Sequence, residues 1–245
     1  MKNLIFIITL FSIINCGKGE SQEEGKVEEN SLPEVYNKVY GASSIALQGD
    51  HVVIKVDGTP DHKSPYFHEI DPSYAPYDGS NPNFNLNPNR ITSFDFTYKI
   101  PLNPSEASNK SSTRLGSIGV ALNGVAIYNQ YAGPNNQPLT GEINSFDQYN
   151  GHPQPQGVYH YHMEPLYLTE NQGNDALLGF LLDGFPVYGP FENMAKVTNE
   201  DLDDYHGHNH ATDDFPSGIY HYHITENDPY INGNGYFGTP GTVTQ

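Results

Sequence analysis

The chain has 245 residues with 29 acidic and 11 basic side chains, a formal charge of −18, one cysteine, no tryptophan and 11 histidines, as many as Lys and Arg combined. Phosphate binding needs clustered Lys and Arg, so this balance argues against nucleic acid as a partner and favours attraction of metal cations. Apolar residues make up only 36%, while 24 Gly, 19 Pro and 18 Tyr point to a turn-rich fold of many short strands.

Met1-Lys2-Asn3 leads into the apolar run Leu4–Ile14, too short to span a bilayer and of signal-peptide length. Ile13-Ile14-Asn15-Cys16 resembles the lipobox of bacterial lipoproteins. That resemblance implies that residues 1–15 are a lipoprotein signal peptide and that Cys16 carries lipid, with the membrane as its partner. Residues 16–31 are polar and glutamate-rich, as a flexible tether would be, and folding is expected over 32–245. The expected location is the bacterial cell envelope, the outer membrane in a Gram-negative cell. A lipidated Cys16 leaves no thiolate for a metal site and no disulfide.

Within the domain, Ser44–Asp57 reads as strand, with Val52, Ile54 and Val56 alternating, and Ile91–Ile100 likewise through Phe94, Phe96 and Tyr98. Asp71–Asn89, rich in Pro, Asn and Tyr, reads as a long ordered loop. From Gly119 onward one pattern is written twice. Gly119–Tyr128 corresponds to Gly179–Tyr188, Phe146–His152 to Leu202–His208, and Gly157–His162 to Gly218–His223, in the same order. The repeats lie near 117–165 and 177–226, with unequal loops between matching blocks. Each opens on a hairpin, because Asn123-Gly124 and Asp183-Gly184 supply the turn. Asp183 is therefore read as turn chemistry rather than as a catalytic carboxylate. Phe191–Asp204 is a short helix or irregular loop at most. The fold class is mainly β, a single domain of short antiparallel strands, sandwich- or barrel-like, with an internal two-fold repeat.

The chemistry sits in Tyr159-His160-Tyr161-His162 and Tyr220-His221-Tyr222-His223. On a strand alternate side chains share a face, so His160 and His162 point one way and the tyrosines the other, and the same holds for His221 and His223. Their Cα atoms would stand about 6.6 Å apart, a span two imidazoles can close on one ion. His152 and His208, each after a glycine, complete two sets of three: His152, His160, His162 and His208, His221, His223. The sets either converge on one shared site or form two. Glu164 continues the histidine face of the first motif, where the second has Thr225. His206 and His210 flank His208 in a mixed His/Asp loop, and His51, His62 and His68 have no paired spacing.

The paired motifs, the Leu182–Pro190 block and the Asp-x-x-x-Gly-His lead-ins resemble the YHYH domain family of secreted and lipid-anchored bacterial proteins, over roughly residues 90–235. The resemblance brings no established activity, so metal binding is inferred from spacing alone. Three functions compete: a lipoprotein that binds copper or zinc through the six histidines; a metalloenzyme, copper oxidoreductase or zinc-type hydrolase, with Glu164, Asp147 or Asp203 as base; and an adhesion or glycan-binding module with exposed tyrosines. There is no P-loop or nucleotide fingerprint, so no nucleotide cofactor is expected. The sequence identifies neither a catalytic residue nor a protein partner.

Overall fold

The computed structural model describes residues 31–245; the signal-peptide and lipidated-Cys16 expectations, and the tether apart from Ser31, fall outside it. Two open sheets organise these residues. The smaller has four strands in the order β1-β2-β3-β12, where β1 is Ala42–Gln48, β2 His51–Val56, β3 Phe96–Pro101 and β12 Thr242–Thr244. The stretch expected as one strand over Ser44–Asp57 is thus a hairpin, closed by Gly49 at φ 64° and the Gln48–His51 pair. The expected alternation holds on its second strand, where Val52, Ile54 and Val56 are buried.

The larger sheet has eight strands: β4 Ser117–Ala121, β5 Ala126–Tyr128, β6 Gly151–Pro153, β7 Tyr159–Tyr161, β8 Leu177–Leu181, β9 Pro186–Tyr188, β10 Gly207–His210 and β11 Ile219–His223. Their spatial order is β10-β11-β9-β8-β4-β5-β7-β6. Read from the middle outwards, each half has the same pairings: a hairpin (β4·β5 or β8·β9), a parallel step (β5·β7 or β9·β11) and an antiparallel edge (β7·β6 or β11·β10). At the seam Val120 faces Phe180, with Gly119 opposite Leu181 and Gly179 opposite Ala121. Glycine is required there by space. A Cβ on Gly119 would lie 2.5 Å from the Phe180 carbonyl oxygen, and one on Gly179 2.3 Å from that of Val120.

Side chains from both sheets merge into one buried core, Ile54, Tyr98 and Ile100 from the smaller and Val120, Phe180, Tyr161 and Tyr222 from the larger. The arrangement is sandwich-like, and among the described residues no sheet closes into a barrel. Asp71–Asn89 runs without helix or extended strand, as expected. The helix expectation needs correction. Phe191–Asp204 is a two-stranded ribbon, Phe191–Glu192 with Ala195–Lys196, followed by one 3-10 turn at Asn199–Asp201. Asn193 and Met194 at positive φ make the tight reversal that a helix would not allow. The α-helix, α1, is instead Leu166–Gln172, started after Pro165, ended at Gly173 with φ 111°, and buried through Leu168 and Thr169. No helix among the described residues is long and apolar enough to cross a membrane.

Candidate metal centres

The strand period places the motif as expected. Tyr159, Tyr161, Tyr220 and Tyr222 turn into the core, 5% exposed or less, so they offer no exposed tyrosine surface. Their hydroxyls are anchored by carboxylates and amides. Asp147 accepts from Tyr159, from Ser64 at 2.6 Å and from the Tyr149 and Gly151 amides; Asp203 accepts from Tyr220 and from the Tyr205 and Gly207 amides. The Asp-x-x-x-Gly-His lead-in is therefore a bend that ties its own motif's first tyrosine, and neither aspartate belongs to the histidine groups. Asp183 keeps its turn role but also accepts the Tyr222 hydroxyl at 2.6 Å and the Gly238 amide at 2.9 Å. Its counterpart Asn123 instead donates to Tyr161, whose hydroxyl then donates to His62 Nε2. Burial raises Asp183 to about 6.

On the opposite face the six histidines form two clusters, not one. Strands β7 and β11 are separated by four others, five steps of about 4.8 Å or roughly 24 Å, so no single ion is shared.

In the first cluster His152 Nε2 lies 3.1 Å from His160 Nε2, which lies 3.0 Å from His162 Nε2. His152 and His160 face each other across β6 and β7, so strand pairing itself brings them together. Every Nδ1 points away to an oxygen. His160 Nδ1 donates to the Val158 carbonyl at 3.0 Å and His162 Nδ1 to that of Asn129 at 2.5 Å. His152 Nδ1 donates to Ser145 Oγ at 2.8 Å, whose own hydrogen goes to the Glu142 carbonyl. These partners hold all three rings with the hydrogen on Nδ1 and the Nε2 lone pair turned inward, the tautomer a metal ligand needs. Tetrahedral bonds of about 2.0–2.1 Å put ligand nitrogens roughly 3.3 Å apart, close to the spacing found. Burial pushes His152 down to about 3 and His162 to about 4, and lowers His160, so the rings stay neutral. Tyr128 stacks on His160 at 3.9 Å, and Phe146 covers His152 and His162.

The second cluster repeats this plan. His208 faces His221 across β10 and β11, and His221 Nε2 lies 3.1 Å from His223 Nε2. His221 Nδ1 donates to the Ile219 carbonyl and His223 Nδ1 to that of Gly189, the counterparts of Val158 and Asn129. Burial lowers His208 and His221, and brings His223 to about 4. His208 Nε2 is buried without a hydrogen-bond partner, an orphaned nitrogen that a metal ion would satisfy.

The second cluster includes a glutamate that the sequence pattern does not mark, Glu192, and another, Glu142, approaches one histidine of the first. Glu142 Oε1 stands 3.4 Å from His152 Nε2. Glu192 Oε1 stands 3.5 Å from His208 Nε2 and 3.7 Å from His221 Nε2, and its other oxygen accepts from His210 Nδ1 at 2.9 Å. Burial raises Glu142. Burial would raise Glu192 too, but the His210 hydrogen bond and the neighbouring histidines hold it below its usual value. The glutamates arise at non-equivalent points, one in the 3-10 turn Glu142–Ser145 and one in the 191–196 ribbon. Glu164, expected on the histidine face, lies past the end of β7 before Pro165 and accepts from Thr169 Oγ1 instead. His206 is buried against Thr225 and joins no cluster, whereas His210 touches the second through its hydrogen bond to Glu192. Of the unpaired histidines, His62 is buried beneath Tyr159 and Tyr161.

Compared with known families, the chain matches the model described as YHYH protein over residues 97–199 and 191–235, more than half its length. No curated protein and no solved structure matches it significantly.

Proposed function

The chain belongs to the YHYH protein family, and from that premise we propose that it is a cell-envelope lipoprotein that binds two transition-metal ions, copper or zinc, one in each half. The observation that carries this reading is the convergence of three Nε2 lone pairs in the first cluster and of His221 and His223 Nε2 with a ligand nitrogen of His208 in the second, with every Nδ1 that donates in the hydrogen-bond network engaged outside it. Imidazole sets of this kind suit both metals. The carboxylates expected to act as base, Asp147, Asp203 and Glu164, are engaged elsewhere, which leaves Glu142 and Glu192 as the carboxylates beside the histidines. Lipid on Cys16 carries the domain at the membrane, and replacing Cys16 with Ser should move the protein from the membrane fraction to the soluble one. Metal analysis of purified protein tests the binding claim. Wild type should hold about two equivalents, and His160→Ala/His162→Ala and His221→Ala/His223→Ala about one each; unchanged content in both variants would reject it.

A further inference from the structure

We propose that the second cluster is the exchangeable one: an acidic cleft reaches Glu192, His221 and His223 directly, and a divalent cation is exchanged there through Glu192 with His210, exposed on its outer side, as a transfer ligand. The inference rests on the metal-binding reading above and assigns its two sites different work.

Access differs between the clusters for a local reason. At the first, Tyr128 lies flat on His160, 22° from parallel at 3.9 Å, and Phe146 closes the other rings. At the second, Leu202 stands where the repeat has Phe146. The counterpart of Tyr128, Tyr188, is tilted to an edge-on 69° at 5.1 Å from His221, its hydroxyl held by Thr212 and Asp214. A cavity of about 780 Å³ opens beside it, lined by His221, His223, Glu192, Asp175, Asp213 and Asp214. Lys38 pairs with Asp214, and the remaining carboxylates leave the wall negative, which draws in cations.

Glu192 spans the boundary between solvent and cluster. Its Oε1 lies against His208 and His221, and both oxygens accept, at 3.1 and 2.9 Å, from Nδ1 of His210, whose side chain is 56% exposed. With Nδ1 so engaged, His210 offers Nε2 to an arriving ion, and its ring is only 4.2 Å from that of His208. An ion held there can exchange ligands one at a time, water for His210 and Glu192 and then these for the inner imidazoles, with no bare cation in between. The first cluster lacks a counterpart, since its glutamate touches only His152 and no exposed histidine adjoins it among the described residues.

Zinc release from the loaded full-length protein into excess chromogenic chelator, followed by stopped flow, tests this. Wild type should release zinc in two phases of equal amplitude. His221→Ala/His223→Ala should lose the fast phase and His160→Ala/His162→Ala the slow one. His210→Ala, which removes the proposed transfer ligand, should release the fast equivalent more slowly than wild type, with the amplitude read per zinc actually bound. A single phase in wild type, a fast phase that survives in His221→Ala/His223→Ala, or an unchanged fast phase in His210→Ala would overturn the proposal. Failure to bind zinc at all would instead overturn the metal-binding reading beneath it.

Discussion

The Nε2 atoms of His160 and His162 stand 3.0 Å apart with no hydrogen between them, because each ring's Nδ1 already donates to a main-chain carbonyl. Two facing lone pairs at that distance repel. A cation between them and His152 turns the repulsion into coordination, and burial keeps a proton from taking its place.

The outer partners therefore matter as much as the rings. Ser145 is the one side chain among the Nδ1 acceptors of the first cluster. Ser145→Ala should lower zinc affinity at that cluster about 10–100-fold and leave the second unchanged. Competition against a chelator of known affinity checks this, and equal loss at both clusters would speak against it.

Asp147 and Asp203 hold equivalent bends, yet Asp147 is buried and Asp203 exposed. Asp147→Ala strands the Ser64 and Tyr159 hydroxyls and two amides and should cost about 3 kcal/mol, whereas water replaces the carboxylate in Asp203→Ala at a cost of about 1 kcal/mol. Urea unfolding of the two variants side by side measures the difference; equal losses would contradict the burial argument.

Asp183 gives the fold a pH dependence. Burial raises its folded pKa to about 6, above an unfolded value near 3.9. The folded state thus holds the proton more tightly, and the stability so gained is fully present below about pH 4 and lost as pH rises through about 6. The loss is on the order of 3 kcal/mol. Asp183→Asn, the amide that the first hairpin has at Asn123, should lack this term. Unfolding free energies of the apoproteins, compared between pH 4 and 7, should show wild type declining relative to the variant. A parallel pair of curves would refute the assignment.

What could be read in the sequence was what local period and repetition encode. Alternation in Tyr-His-Tyr-His separates a tyrosine face in the core from a histidine face, and Asn123-Gly124 and Asp183-Gly184 mark hairpins, whatever the rest of the chain does. Two separate clusters could not be read there, because separation depends on β4 pairing with β8 and pushing the motifs to opposite ends of the sheet. Glu142 and Glu192 carry no periodic signal, since turns outside the repeat pattern deliver them. Glu164 had the right spacing but lies beyond the strand, which ends at Tyr161, and just before the helix that follows Pro165. The helix Leu166–Gln172 is too short for an apolar stripe to show, and tertiary burial of Leu168 and Thr169 fixes it.

The most direct measurement is a crystal structure of the metal-loaded protein with anomalous data at the metal edge. Two peaks are expected roughly 24 Å apart, one bonded to Nε2 of His152, His160 and His162 and the other to Nε2 of His208, His221 and His223, each at about 2.0–2.1 Å. A single peak, or coordination through Nδ1, would contradict this.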